Sequence, residues 1–438
     1  MNSKDKEKRD RGVAATASGI NKLKYSKANI RKDTDKISTY SQIAEKTLLS
    51  EKTVNRFFHG EKVDESSARR ICKVLDVEYS EIIDSNSNSE PKDSNGHLST
   101  DTKNINIYIE RPPIEEKCLK AILQPGALIR IRAPQKMGKT LLLEKILDYS
   151  RQQNYQIVKL DLKLADKSTL TDLKTFLQWL CCYVSDILEK SPNLDEYWED
   201  SLGLNTSCTS YFQRYLLANT DTPLVLAIDN FERLFTCENI FPDFCLMLRS
   251  WYDTAKQGDR MGRMWQKFRL VVVNSTELYP TLDTNRSPFN VGLAIDLPEL
   301  NQNQIEEMVK KYELGSQLGE QGIIKLMTLV GGHPYLLQLA ISNLKSQEMS
   351  LESLLELAPT EQGIFSSHLR EQLGNLQADS QLKEAYKQVV KENQPVQFNP
   401  EIIFKLHSLG LVKIIRNDCV PSCGLYRDYF SVFLESPA

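Results

Sequence analysis

Long apolar runs are missing from this 438-residue sequence. No stretch of about 18 apolar residues occurs, so no segment is expected to cross a membrane and no membrane partner is expected. The opening residues, MNSKDKEKRD, carry charge with no apolar stretch behind it, which excludes the pattern of a secretory signal. Paired cysteine spacing is missing too. The nine cysteines are an odd number. Cys181 and Cys182 are adjacent in an apolar helical pattern and read as core filler, while Cys419 and Cys423 have neither a partner pair nor a nearby histidine. A reduced, cytoplasmic setting fits this usage. Net charge is only −3, so the molecule as a whole is no general binder of polyanions. No internal repeat is present, and no protease, nuclease or cyclase constellation.

What is present divides by composition. Residues 1–83 are helical in pattern and lysine-rich, 84–104 form a polar Ser/Asn/Asp linker, and 105–438 hold the bulk of the apolar residues, with 41% of the chain apolar and 26% charged. Residues 1–36 carry 11 Lys/Arg against 5 Asp/Glu, a basic arm at +6 that reads either as a phosphate-contacting segment or as a solvated tail. From 105, short apolar runs alternate with helical patterns: Leu128–Arg132, Ile157–Asp161, Leu224–Asp229 and Leu270–Asn274. That alternation predicts an α/β core with a parallel sheet covered by helices on both faces. From Asn301 onward the pattern is almost entirely helical, a helical lid over 301–385. Near the end, Phe404–Leu411 predicts a helix closed by Gly410, and Val412–Ile415 with Asp418–Val420 predicts a hairpin across Arg416-Asn417. Helix followed by hairpin suggests a winged-helix module over 386–438.

The strand Leu128–Arg132 runs into Ala133-Pro134-Gln135-Lys136-Met137-Gly138-Lys139-Thr140, with a helix over Leu141–Ser150 behind it. This is G-x-x-x-x-G-K-[ST] with Ala133 in the first glycine position. Phosphate binding needs inward-turned backbone N–H groups at a helix N-terminus, where the helix dipole also favours anions. Gly138 allows close approach, Lys139 offers a cation to the outer phosphates, and Thr140 offers a hydroxyl to Mg²⁺. ATP or ADP with Mg²⁺ is the expected ligand set. The run Leu224–Asp229 predicts a buried strand delivering the Asp229 carboxylate to the sheet's C-terminal edge, where it holds Mg²⁺ through water. Asn230 follows where many hydrolysing relatives have Glu, so slow or partner-stimulated hydrolysis is expected. Glu232 is the candidate replacement. Asn274, ending the fourth strand before Ser275-Thr276, is either a γ-phosphate sensor or a strand cap. Arg286 is either a cation for a neighbouring subunit's phosphate or a surface arginine. Gly331-Gly332 breaks a helix and Pro334 restarts one, which by itself makes His333 an outward-facing residue at a helix start.

These elements, with Tyr108–Glu115, Ala127–Pro134, Leu224–Phe235, Leu270–Thr276, Ser287–Gly292 and Gly331–Leu336, resemble the AAA-like domain of the STAND class of signalling P-loop NTPases, of the cyanobacterial type. The resemblance spans about 105–435, with the NTPase core over 105–300. It implies a switch held closed by ADP and opened by ATP, with nucleotide-dependent homo-oligomers. It also implies nucleotide contacts from Arg111, with Glu115 beside it, and from His333 and Pro334.

Residues Gln42–Gly60 resemble a repressor-type helix-turn-helix, with Ala44 where two helices cross, Leu49 and Val54 as core positions and Ser50 as the second helix's N-cap. Leu48 stands where glycine usually makes the turn. A further helix is expected over Ser67–Leu75. The wider segment looks like the N-terminal domain of vWA-MoxR-associated proteins of prokaryotic conflict systems. Lys52, Thr53, Asn55 and Arg56 are placed to meet base edges if the domain reads DNA. Yet residues 37–83 carry 7 Lys/Arg and 8 Asp/Glu, so an adaptor for a partner protein is an equal reading. Two functions follow: a signalling switch in transcriptional control or defence, or a nucleotide-holding scaffold that barely turns over.

Overall fold

Five parallel strands form one sheet: β1 (Leu128–Arg132), β2 (Gln156–Asp161), β3 (Leu224–Asp229), β4 (Phe268–Asn274) and β5 (Leu293–Asp296), in the order β2-β3-β4-β1-β5. The computed structural model describes residues 15–16, 20, 22–23, 40–47, 49–60, 62–75, 77, 79–82, 107–218, 220–275 and 290–434. By contacts the chain divides into two units, 1–100 and 101–438.

Every residue of β3 and β4 is buried, because helices cover both faces, and such strands read as continuous apolar runs. Alternate residues serve opposite faces. Leu226, Ile228, Leu270 and Val272 join Phe176, Phe244 and Trp251 in one apolar cluster. Val225, Ala227, Val271 and Val273 join Ile129, Ile131, Leu142 and Ile146 in the other. Cys181 lies fully buried in the first cluster, as the core-filler reading expects.

β4 lies between β1 and β3, with Leu270 paired to Leu128 on one side and Leu226 on the other. This interleaving brings the ends of β1, β3 and β4 to one edge of the sheet. The four strands expected from sequence are present, two of them extended at the start. β5 was not anticipated: it has four residues and a half-exposed face, too short for a periodic signal. Gly292 leads into it at φ +74, and a Cβ there would stand 2.3 Å from the Leu128 carbonyl oxygen, so only glycine lets the chain enter beside β1.

From Asn301 the chain is helical, starting with a capping box between Asn301 and Gln304 that opens helix Gln302–Lys311. One apolar cluster runs from Ile109 through the helices after Asn301 to Leu434. The late helix spans Pro400–Ser408, not Phe404–Leu411. Asn399 caps it by accepting from the Glu401 N–H, Pro400 occupies its first turn, and Gly410 at φ +79 follows its end. β6 (Val412–Ile415) and β7 (Asp418–Pro421) pair antiparallel across Arg416-Asn417, Val396 exchanges two backbone hydrogen bonds with Cys419, and helix Gly424–Phe433 follows.

In the first unit, helices Tyr40–Thr47, Glu51–Phe58 and Glu65–Val74 enclose Ile43, Ala44, Val54, Phe57, Phe58 and Ile71. Ser50 caps the second by accepting from the Thr53 N–H, and Leu49 packs against the cluster's edge. The third begins at Glu65, two residues before the expected start, because Asp64 caps it by accepting from Ser67 N–H. Leu48 lies outside the described residues. Among the described residues no helix is long and apolar enough to cross a membrane.

Candidate functional site

The loop between β1 and helix Lys139–Gln152 is built to leave N–H groups unclaimed. Gly138 is the residue before the helix, at φ +91, and has no side chain with which to cap the first turn. Lys136 also takes positive φ, +59. Lys139 is 9% exposed and its Nζ donates to the Ala133 and Pro134 carbonyls at 3.0 and 2.7 Å. Burial lowers its pKa to about 8, against the opposing pull of Glu232 and Asp229. Thr140 Oγ1 donates to Asp229 Oδ2 at 3.1 Å, and the Asn230 N–H donates to Asp229 Oδ1 at 2.9 Å. Burial raises the Asp229 carboxyl pKa, with Asp161 adding to the shift.

Hard oxygen ligands from Thr140 and Asp229 side by side suit Mg²⁺, which binds through one or two protein oxygens plus phosphate and water. Among the described residues no group of three or more His, Cys, Asp or Glu could hold a metal without phosphate.

Gln135, Lys136, Met137, Gly138, Lys139, Thr140, Asp229, Glu232 and Pro334 all line one cleft of about 500 Å³, together with Lys163, Asn230, Ser275, Tyr335, Gln338 and Glu371. Asn274 is not among them. It is 1% exposed at the end of β4, and Ser275 beside it reaches the cleft instead. Both oxygens of Glu232 are taken by Ser275, one by its hydroxyl and the other by its N–H at 3.1 Å. Asn230 sits at φ +55, and its Nδ2 donates to Asp161 Oδ1 at 2.8 Å.

Helix Ser366–Gln377 lies directly against the phosphate loop. Lys136 Nζ donates to Glu371 Oε2 at 2.5 Å and meets His368 Nδ1 at 3.1 Å, both on helix Ser366–Gln377, and lies 4.8 Å from the centre of the Tyr335 ring. His368 Nε2 meets the Tyr426 hydroxyl at 2.6 Å. Gly410 packs against Pro134: a Cβ there would touch Pro134 Cβ at 3.5 Å. Burial holds the His368 pKa down to about 4, with Lys136 adding to the effect.

His333 does not face outward. It is 6% exposed at the start of helix Pro334–Lys345, and burial beside His368, Lys136 and Lys139 depresses its pKa to about 3. The turn is held inward because Gly332 bonds Leu300 and Glu299, and Glu299 pairs with Lys413 of β6 at 2.7 Å. A local pattern of Gly-Gly-His-Pro cannot show that three distant segments close over it.

Arg111, 3% exposed, runs beneath the loop, with Nη2 donating to the Met137 carbonyl at 3.0 Å. Glu115 Oε1 accepts from the Arg111 N–H at 2.8 Å and from the Tyr108 hydroxyl at 2.5 Å. Arg111 Nε and Nη1 and Glu115 Oε2 have no hydrogen-bond partner. A small cavity of about 30 Å³ adjoins them, walled by Ile107, Ile109, Gly138, Leu141, Pro334 and Gln338. Gly138, Leu141, Pro334 and Gln338 also line the larger cleft.

Of the residues placed toward DNA, Lys52, Asn55 and Arg56 are exposed on helix Glu51–Phe58. Arg56 donates to the Lys62 carbonyl at 2.7 Å, and Thr53 is occupied with Ser50. Arg286, Thr276 and most of the basic arm lie outside the described residues. Sequence reasoning missed Asp161, Lys163, Tyr335, His368 and Glu371. Asp161 ends β2 and Lys163 follows it, within reach of a rule that looks to strand ends. His368 and Glu371 carry no local signal at all.

Residues 96–432 match a family described as an AAA-like domain. No curated protein matches the chain. Among solved structures, the chain is similar to a Walker-type ATPase of Pyrococcus abyssi, at 10% identity and TM-score 0.52, over 74% of this chain and 96% of that one. Weaker likenesses are Cdc6p from Pyrobaculum aerophilum (13% identity, 75% and 96% covered, TM-score 0.38) and domain III of the Thermotoga maritima replication initiation protein DnaA (17%, 56% and 90%, 0.34).

Proposed function

The chain belongs to the AAA-like domain family, a nucleotide-binding P-loop ATPase fold, and we propose that it is an ATP-dependent signalling switch of STAND type. The observation that carries this reading is the contact of Lys136, inside the phosphate loop, with Glu371 and His368 of the lid. A lid that holds the loop's own cation senses what the loop binds.

In this reading Lys139 and the first-turn amides hold the β- and γ-phosphates, Thr140 and Asp229 hold Mg²⁺, which neutralises phosphate charge, and Ser275 with Glu232 feels the γ-phosphate in place of the buried Asn274. Pro334, on the wall of the larger cleft, flanks the base, and Arg111 supports the phosphate loop from beneath through the Met137 carbonyl. Asn230 cannot itself accept a proton, so turnover is slow unless a neighbouring carboxylate takes that part. ATP-bound chains release the lid and form larger homo-oligomers. The helix, hairpin and helix over 386–438 act as a winged-helix module that joins the lid in closing on Pro134. A scaffold that holds nucleotide without turnover is the second reading, favoured by Asn230 alone.

Glu371 gives the switch its sign. Its carboxylate lines the cleft that receives phosphate. ADP leaves Lys136 to Glu371. A γ-phosphate competes for Lys136 and repels Glu371, so ATP favours the open lid. The pair is part-exposed, at 28% and 49% of the two side chains, which limits its worth to about 1 kcal/mol, or roughly fivefold in a lid equilibrium. Hydrogen exchange of helix Ser366–Gln377 is therefore expected to be faster with a slowly hydrolysed ATP analogue than with ADP. In Glu371→Gln that difference shrinks. An undiminished difference in the variant removes Glu371 from the mechanism.

For the N-terminal unit we favour a helix-turn-helix adaptor that binds a partner protein in the cytoplasm, in transcriptional control or conflict signalling. The folded segment is not basic. Direct DNA reading predicts affinity that falls steeply with salt and base preference that relaxes in Arg56→Ala. The adaptor reading predicts neither. Titration of the full chain against specific-candidate and random duplexes at two salt concentrations separates them, and tight, salt-sensitive binding sinks the adaptor.

A further inference from the structure

The loop after β3 lacks the carboxylate that would draw a proton from water, but β2 ends in one. We propose that Asp161, oriented by Asn230, is the catalytic carboxylate that polarises the attacking water; this rests on the nucleotide reading of the site.

The placement follows from the sheet. In the β2–β3 register Asp161 is paired with Asp229, so the two carboxylates leave neighbouring strands at the same edge. Asn230 Nδ2 donates to Asp161 Oδ1 at 2.8 Å, and the Lys163 N–H donates to the same oxygen at 2.8 Å. Both bonds fall on Oδ1, which fixes the plane of the carboxylate and leaves Oδ2 to take a further donor. Asp161 is half-buried, so water reaches it. Asn230 lines the phosphate cleft itself. An amide held against a carboxylate on the next strand replaces a carboxylate in the amide's place: the acid moves one strand over and the amide aims it. The unusual backbone of Asn230, at φ +55, turns the side chain toward β2.

Glu232 is the rival. Both of its oxygens are already bonded to Ser275, so accepting a proton from water requires that clasp to open. Asp161 stands behind Asn230 and Lys163 of the cleft wall, outside the lining itself, and both of its bonds to them fall on Oδ1, so Oδ2 has no such clasp to open.

The step balances as a hydrolysis. The water oxygen forms a bond to the γ-phosphorus, and the bond from that phosphorus to the β–γ bridging oxygen breaks with its electron pair going to ADP. The water proton passes to Asp161 Oδ2 and from there to solvent. Products are ADP and phosphate.

Four proteins test it: the wild type, Asp161→Asn, Glu232→Gln, and the exchanged pair Asp161→Asn/Asn230→Asp. Each exchange is isosteric, and asparagine also accepts from the Lys163 N–H, so the local turn keeps its cap. ATP binding is measured first, by equilibrium dialysis with Mg²⁺. Wild type that binds no ATP overturns the nucleotide reading itself. Given binding, Asp161→Asn is expected to bind ATP within about twofold of wild type and to lose roughly 100-fold in single-turnover hydrolysis, the scale of one general base. The exchanged pair rebuilds the hydrogen bond with the roles reversed and is expected to recover at least roughly tenfold of that loss. Four results overturn the proposal while leaving nucleotide binding intact: a wild type that binds ATP without hydrolysing it, Asp161→Asn at the wild-type rate, Glu232→Gln showing the loss in its stead, or an exchanged pair no faster than Asp161→Asn.

Discussion

Replacing Lys139 with alanine is expected to weaken ATP and ADP binding by roughly ten- to a hundredfold, the loss of one charge-assisted contact at about 1.5–3 kcal/mol. The fold should survive, because Lys139 Nζ bonds only the Ala133 and Pro134 carbonyls of its own loop. Its pH dependence separates this cation from any other in the cleft. Burial depresses the Lys139 pKa to about 8 in the empty site, while a bound polyphosphate demands the charged form. Binding above pH 8 therefore takes up a proton. Affinity is expected to hold from pH 6 to 7.5 and to fall by about tenfold by pH 9 in the wild type. In Lys139→Ala the same titration should be flat. Lys136 and Lys163 also line the cleft. If the variant keeps wild-type affinity, one of them carries the phosphate and the assignment of the loop is wrong. Isothermal titration at three pH values reads all of this.

How much of this was legible beforehand depends on how far apart the cooperating residues lie. The phosphate loop could be read because strand, loop and helix are consecutive, and each residue's task follows from local geometry. Asp229 could be read because five apolar residues before a carboxylate describe a buried strand ending at a sheet edge. The order of the strands could not be read. That β4 inserts between β1 and β3, and that β2 sets Asp161 against Asp229, is decided by packing of both sheet faces. Asn230 drew attention as a missing glutamate, and only the register shows a carboxylate next door. His333 was misjudged for the same reason. Its turn looks exposed when the sequence is taken alone, and Leu300, Glu299 and Lys413 bury it. Glu371, more than 230 positions from Lys136, carries no sign in its own helix of the cation it meets.

A change of assembly state with nucleotide is the second large effect expected. In the structure the loop's Lys136 is held by Glu371 and His368, His368 is tied to Tyr426, and Pro134 packs under Gly410. These contacts join the sheet edge to the lid and to the C-terminal module, so surfaces between them are covered together and released together. A γ-phosphate acts on this arrangement only through differential affinity for its two forms. The proposed switch derives that differential from Lys136 and Glu371, which line the same cleft. The Lys136–Glu371 pair supplies about 1 kcal/mol of it, a roughly fivefold shift that tips a lid poised near balance. Lid surfaces freed in this way then become available to a second copy.

Sedimentation velocity of the full chain with Mg²⁺ and either ADP or a slowly hydrolysed ATP analogue puts that claim to the test, with Lys139→Ala run beside it. The expected result is a smaller species in ADP, a larger one in the analogue, and no nucleotide dependence in the variant. Identical sedimentation of the wild type with both nucleotides, at concentrations where both are bound, would contradict the switch.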